Sequence, residues 1–265
     1  MATNPTGAIT YADWARRTDP DGKTAIIVEL LSQTNEILDD MLVMEGNLPI
    51  GHRTTVRTGL PSGTWRLFNY GVPTARSTTV QITDSAGMLE TYSVVDQALA
   101  DLNGDTAQFR LSESQAFIEG LSQQMASTLI YGNTAVNPER FMGLAPRYNT
   151  VSTTVAQTAY NVIDALGTTS TMTSLWLCCW GSNTLAAFFP KGQASVAGLK
   201  HTDWGLERQA YDTNTPQGRY EAYTDHFKWN IGLSQRDWRY TVRLANVDTS
   251  SAAGGLLSST PPNLI

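Results

Sequence analysis

The chain has 265 residues, of which 41% are apolar and 16% charged, and its formal net charge is -6. That length supports one large domain or two small ones with a proper core, and the acidity argues against a protein that coats nucleic acid, which would be basic. So few charges, with Thr, Ser, Asn and Gln as the polar remainder, suit a surface largely covered by neighbours.

The N-terminus, MATNPTGAITYADWARR, has no apolar leader, and no run approaches the length of a membrane span, which predicts a chain kept in a reducing cytoplasm without membrane insertion. Thr10 with Asp13 three residues on predicts a short helix start, broken by TDPDGK. From Thr24 to Glu45 the spacing is helical. Ile27, Leu30, Leu31, Thr34, Ile37, Leu38, Met41 and Leu42 form one broad stripe; Glu29, Glu36, Asp39, Asp40 and Glu45 lie opposite, with no basic residue in the span. GNLP ends it.

The next stretch is the most unusual. It carries Arg53, Arg57, Arg66 and Arg76, and Gly46 to Thr83 contains no carboxylate. Thr54, Val56 and Thr58 alternate with Arg53, Thr55 and Arg57, which is strand periodicity. Leu60-Pro61-Ser62-Gly63 reads as a turn. A return strand is predicted through STTVQIT and on through GMLETYSVVD. Two arms of a dozen residues would project roughly 35–40 Å, and an isolated hairpin is marginal in water. It must lie on something.

Asn103-Gly104-Asp105 reads as a turn before the best helix of the sequence, residues 106–131. Phe117, Leu121, Met125 and Leu129 recur at i+4, joined by Ile118 and Ile130, and Gly132 is a natural stop. A short helical phrase is predicted around AYNVIDAL. SLWLCCWG reads as a strand covered on both faces, with Cys178 and Cys179 as buried small hydrophobes. From Trp204 onward the pattern is β. In YTDHFKWNI, Tyr223, Phe227, Trp229 and Ile231 share a face with Asp225; in DWRYTVRLAN, Trp238, Tyr240, Val242 and Leu244 face one way and Arg239, Thr241 and Arg243 the other.

Little here points to chemistry. His52, His201 and His226 stand at no ligand spacing, and no phosphate loop, nucleophile elbow or HExxH occurs. Asp101, Asn103 and Asp105 begin like a calcium loop, but the Gly and the closing Glu are misplaced, so a capped turn is expected. Glu113 and Glu119 on the long helix fit a solvated or interface face better than a catalytic pair. No catalytic residue, metal or cofactor is expected. The arginine-rich arm admits three readings. It is a solvated hairpin, a nucleic-acid binder with Trp65 and Phe68 as stacking platforms, or an element docking on the acidic surface of a neighbouring copy. The third is preferred because Thr24–Glu45 supplies such a surface.

The order of elements resembles the major capsid proteins of tailed bacteriophages, an α+β architecture of the Hong Kong 97-type shell fold. LLSQTNEILDDMLVMEGNLPIGHRTTVRTGLPSGTWRLFNYGV, GMLETYSVVD and DWRYTVRLANVD are similar to phrases of a family found in short-tailed phages and prophages. The resemblance implies an N-terminal arm and first helix (1–49), an extended β-hairpin loop (50–83) lying over an adjacent subunit, a peripheral domain (84–150) with its spine helix, and an axial domain with a β-ribbon (151–265). It implies a non-enzymatic structural protein of the virion, made in the bacterial host cytoplasm. Hexamers and pentamers of it would enclose double-stranded DNA, with portal, scaffold and decoration proteins as further partners and no membrane. An encapsulin-like shell around protein cargo is the alternative within the fold, and a nucleic-acid-binding module the alternative outside it. Some relatives cross-link a loop lysine to an asparagine; Ile50–Thr83 has no lysine, so that chemistry does not carry over. Such proteins continue past the phrase matching TPPNLI with a helix and strands, so the last elements of the fold are expected to be missing here.

Overall fold

The computed structural model describes Ile9, Asp13 and residues 35–154, 157–167, 169–194, 197–210 and 218–250. The helix start at Thr10 and the acidic stripe up to Thr34, Glu29 included, lie outside the described residues. The single helix expected to reach Glu45 is not formed. Helix α1 is only Glu36–Asp40, and Val43–Glu45 is strand β1. β1 pairs in parallel with β6 (Leu185–Phe189), Val43 opposite Ala187 and Glu45 opposite Phe189. The carbonyl of Leu42 accepts from Ala187 N at 2.9 Å and Gly46 N donates to the Phe189 carbonyl at 2.7 Å. These sheet hydrogen bonds outweigh the helical spacing of an apolar run that is short and close to a glycine.

The chain folds as two compact units. One comprises the N-terminal segment to Asp39, Met88–Ser127 and Ser195–Asn230; the other comprises Asp40–Gly87, Thr128–Ala194 and the chain from Ile231. In the first, β7 (Leu199–Ala210) pairs antiparallel with β8 (Arg219–Gln235), which neighbours β3 (Thr78–Asp96). Helix α2 (Gln97–Ala100) follows β3, capped by the Asp96 carboxylate at Ala98 N. A 3-10 turn at Asp101–Asn103 then closes on Gly104 in the left-handed region (φ 71°), as the sequence suggested. Helix α3 is Thr106–Tyr131, about 39 Å long at 1.5 Å per residue. Phe117 stacks on Phe227 with ring centroids 5.9 Å apart, and Leu121 and Met125 are buried. Ile118 is exposed, so the buried stripe is narrower than its spacing implied. Asp225, Phe227 and Trp229 are buried on the predicted face of β8, while Val95, Leu99, Ala100 and Phe109 form a cluster against Tyr223.

In the second unit the strand order is β1-β6-β8-β3-β2, with β2 at Gly51–Gly59. The core of this sheet is Leu185, Ala187, Phe188, Ile231 and Leu233. A separate three-stranded sheet has the order β4-β9-β5, with β4 at Val162–Asp164, β5 at Met172–Cys178 and β9 at Thr241–Asp248. Tyr148, just past the one-turn helix α4 (Leu144–Arg147), is fully buried against Val162, Ala245 and Trp176. Burial pushes its phenol up to about 12.

Four local expectations change here. AYNVIDAL is a 3-10 turn (Thr158–Asn161) running into β4; β-branched Val162 and Ile163 favour the ladder with β9. SLWLCCWG is an edge strand with one free face. Trp176 packs inward while Leu175 and Leu177 are exposed, Cys178 is half-buried and Cys179 exposed; a continuous apolar run does not reveal which face is covered. In DWRYTVRLAN, Trp238–Tyr240 is a 3-10 turn that resets the alternation, so Thr241, Ala245 and Val247 are the buried residues. Gly132 ends α3 without a left-handed backbone. Its Cβ would collide with the carbonyls of Phe141 and Thr128.

Candidate subunit interface

β2 and the start of β3 form a two-stranded arm in strict antiparallel register, from Gly51 opposite Ser85 to Arg57 opposite Thr79, with an irregularity at Gly59. A Cβ at Gly59 would collide with Thr78 Oγ1, so the small residue lets the strands stay close as they part. The register gives the arm two faces. Arg53, Thr55 and Arg57 share one with Thr79, Gln81 and Thr83; Thr54 and Val56 share the other with Val80 and Ile82. Asn47 fixes the start of β2 as a surrogate strand, its amide donating to the Arg53 carbonyl and its carbonyl accepting from Arg53 N, both at 2.7 Å.

Between the strands, residues 60–77 form an open loop. The turn expected at Leu60–Gly63 is absent; the chain reverses at Phe68-Asn69, where Asn69 has φ 67° and Tyr70 N donates to the Leu67 carbonyl. Asn tolerates the left-handed region that the reversal needs, whereas Pro61 here only stiffens an extended segment. Every residue from 60 to 83 is exposed. Trp65 is 102% and Phe68 94% exposed, values that no stable monomer surface needs.

Among the described residues, no ion pair joins Arg53, Arg57, Arg66 or Arg76 to a carboxylate; Arg53 reaches only Thr83 Oγ1, at 3.3 Å. On the acidic side, Glu36, Asp39 and Asp40 are exposed on α1 and likewise have no ion pair among the described residues. Glu45 is engaged in its own chain, accepting from Gly192 N at 2.7 Å, because it is a strand residue and not part of a helical stripe. Glu119 accepts from Gln123 at 2.7 Å, and both Glu119 and Glu113 are half-buried on α3. The charged interface candidates therefore divide into groups on the arm and α1 that have no ion pair among the described residues and locally engaged ones at Glu45 and Glu119.

Sequence reading missed an aliphatic face. On the outer side of the three-stranded sheet, Leu175 lies opposite Leu244 and Leu177 opposite Val242, and Ile163 also pairs with Leu244. Leu177 is 72% exposed and Ile163 52%. The alternation within SLWLCCWG carried this signal, with Leu175 and Leu177 on one side of Trp176.

An arm with an exposed aromatic tip and a sheet face with exposed aliphatic side chains define a class of protein, a subunit completed by association with others. The sequence profile of the family described as Major capsid protein GP7 matches residues 19–262. The chain belongs to that family, and it is a structural protein of a phage capsid. A chain in a near-atomic-resolution structure of bacteriophage Epsilon15 is 34% identical, with a TM-score of 0.77, covering all of this chain and 77% of that one. The capsid of Myoviridae phage XM1 shares the fold at 9% identity and a TM-score of 0.56, covering 92% of this chain and 100% of that one. A chain of Mycobacterium phage Adephagia matches at 9% identity and a TM-score of 0.53, covering 97% and 99%. No curated protein matches the chain.

Proposed function

We propose that copies of this chain assemble, as hexamers and pentamers, into an icosahedral shell that encloses double-stranded DNA, and that each copy lays its arm over an adjacent one. In this reading residues 50–83 are the extended loop, 84–150 the peripheral domain with α3 as its spine, and 151–265 the axial domain. The carrying observation is the arm itself. Its outer two dozen residues are each exposed, and its four arginines have no ion pair among the described residues. Such a segment gains stability only from another surface, and the counter-charges it needs are the acids of another copy, Glu36, Asp39 and Asp40 first. The enclosed DNA is held loosely, since an acidic subunit does not grip it. No side chain acts as a catalyst; portal, scaffold and decoration proteins are further partners, and the subunit is made in the host cytoplasm.

Negative-stain microscopy of the expressed protein, followed by nuclease treatment of particles recovered from infected cells, tests this. Closed particles holding nuclease-resistant DNA are expected. Particles that hold only protein would replace DNA with protein cargo, and a monodisperse monomer at high concentration would overturn the assembly reading.

A further inference from the structure

The root of the arm is held by a buried polar network that none of the surface features explains. His52 and Asp84 are directly opposite each other in the β2–β3 ladder and are 4% and 7% exposed. Arg236, just past β8, places Nη2 2.9 Å from His52 Nε2. A guanidinium only donates, so Nε2 is the acceptor and the imidazole is neutral with its proton on Nδ1. Among the described residues that Nδ1 has no hydrogen-bond partner, and neither has Asp84 Oδ2 across the ladder. The other Asp84 oxygen accepts from Arg147 at 2.8 Å, and the same Arg147 nitrogen donates to the carbonyls of Met142 and Leu233. Phe188 covers His52, with ring centroids 5.6 Å apart.

We propose that His52 is a positioning residue of the arm: as the neutral Nδ1–H tautomer it ties the paired roots of β2 and β3 to Arg236 on one side and to Asp84 and Arg147 on the other, and protonation breaks the tie. The donor on Nδ1 and the acceptor on Asp84 Oδ2 sit on cross-strand partners of one face, the closest side-chain relation a sheet offers. One buried water between them completes the chain Arg236–His52–Asp84–Arg147. A proton added at Nε2 removes the acceptor that Arg236 needs and sets two cations face to face. Among the described residues Arg236 then keeps its backbone bond to the Thr184 carbonyl and a 3.5 Å contact to Asn183. The charged groups facing the imidazole are Asp84 from β3 and Arg236 from the segment after β8, with Arg147 of α4 behind Asp84.

Burial first, and then Arg236, hold the imidazole below its ordinary value, while Asp84 opposes them. The unfolded chain takes up the proton near the ordinary histidine value and the folded chain resists it. The contribution of His52 to stability is therefore complete above that value and is lost as pH falls below it. The direction in which the arm leaves the body becomes acid-sensitive, although the only charged groups on the arm's own strands between His52 and Asp84 are arginines. The role of this direction in assembly rests on the proposed shell; the tie itself does not.

The test uses the unassembled full-length subunit, so that its failure is separate from failure to form shells. Nitrogen-15 spectra of the imidazole should show the Nδ1–H tautomer at neutral pH; an Nε2–H tautomer or an imidazolium there overturns the proposal. After correction for intrinsic rates, amide exchange at residues 51–53 and 83–85 should accelerate by about tenfold on acidification from pH 7.5 to 5. His52→Gln, which can still accept from Arg236 and donate to Asp84, should keep the root protected at both pH values. His52→Ala should exchange fast at both. Equal pH profiles for the wild type and His52→Gln would show that another group titrates and would end the idea.

Discussion

At the scale of the residue, the most consequential pair is Asp84 with Arg147, an ion pair of 2.8 Å whose side chains are 7% and 16% exposed. Removing one member leaves the other charged, buried and unpaired, which costs about 3–5 kcal/mol. Arg147→Ala should lower the urea midpoint by that much free energy at unchanged m-value, and a loss below about 1 kcal/mol would mean that water reaches Asp84 freely. Gly143 is the second such position. A Cβ there would stand 2.7 Å from the Thr128 carbonyl and 2.9 Å from both Gly132 N and the Ile130 carbonyl. All three are backbone atoms that cannot swing aside. Gly143→Ala should cost about 1–3 kcal/mol by displacing the segment after α3, seen as a lowered Tm; an unchanged Tm would show that this segment shifts at no cost. Neither residue carries a signal in sequence, because an arginine and a glycine in GLAPRYN differ in no visible way from their surface counterparts.

At the scale of the element, the arm makes the clearest forecast. Because residues 60–77 contribute no strand and every one of them is exposed, replacing residues 61–76 with a short Gly-Ser turn should leave the monomer's Tm within about 2 °C, in the range of ordinary surface changes. The same variant should yield no particles. A collapse of the monomer would show that the loop packs on its own body. The arm was legible in advance because its evidence is local: period-2 alternation, four arginines and no acid. Helix α3 was legible for the same reason, since the i+4 series Phe117, Leu121, Met125 and Leu129 lies in a stretch without a proline or strand alternation. The elements that were misread are those whose state is set by a distant partner. Val43–Glu45 becomes a strand because β6 offers it a parallel edge, and β5 keeps a bare face because nothing among the described residues covers Leu175 and Leu177. The candidate interface acids were half legible. Their charge could be read, but that Glu45 is committed to Gly192 depends on a contact 147 positions away.

At the scale of the whole molecule, the unpaired charges combine into one expectation about assembly. Arg53, Arg57, Arg66 and Arg76 on the arm, and Glu36, Asp39 and Asp40 on α1, all lack an ion pair among the described residues. If they meet between copies, each exposed pair contributes only about 0.2–1 kcal/mol. A shell repeats the same contact at every equivalent position, so a small term per pair becomes decisive for nucleation. Raised salt should therefore slow the onset of assembly, because exposed pairs are screened over about 8–10 Å at ordinary ionic strength. Arg57→Glu should block or misdirect assembly while the monomer remains folded, since Arg57 has no ion pair among the described residues to lose. Adding Glu36→Arg to it should restore particles if α1 of the neighbour receives the arm. Rescue by Glu119→Arg instead would move the contact to α3, at the expense of the Gln123 bond that Glu119 now makes. The exposed aromatic tip sets the limit of this electrostatic account. If the tip docks on a neighbour, Trp65 and Phe68, exposed in the subunit, would bury far more area than any ion pair, so Trp65→Ser should weaken assembly at all salt concentrations, whereas the arginine variants should differ from the wild type mainly at low salt. Normal particles from a chain lacking all four arginines would leave the aromatic tip as the sole determinant of docking.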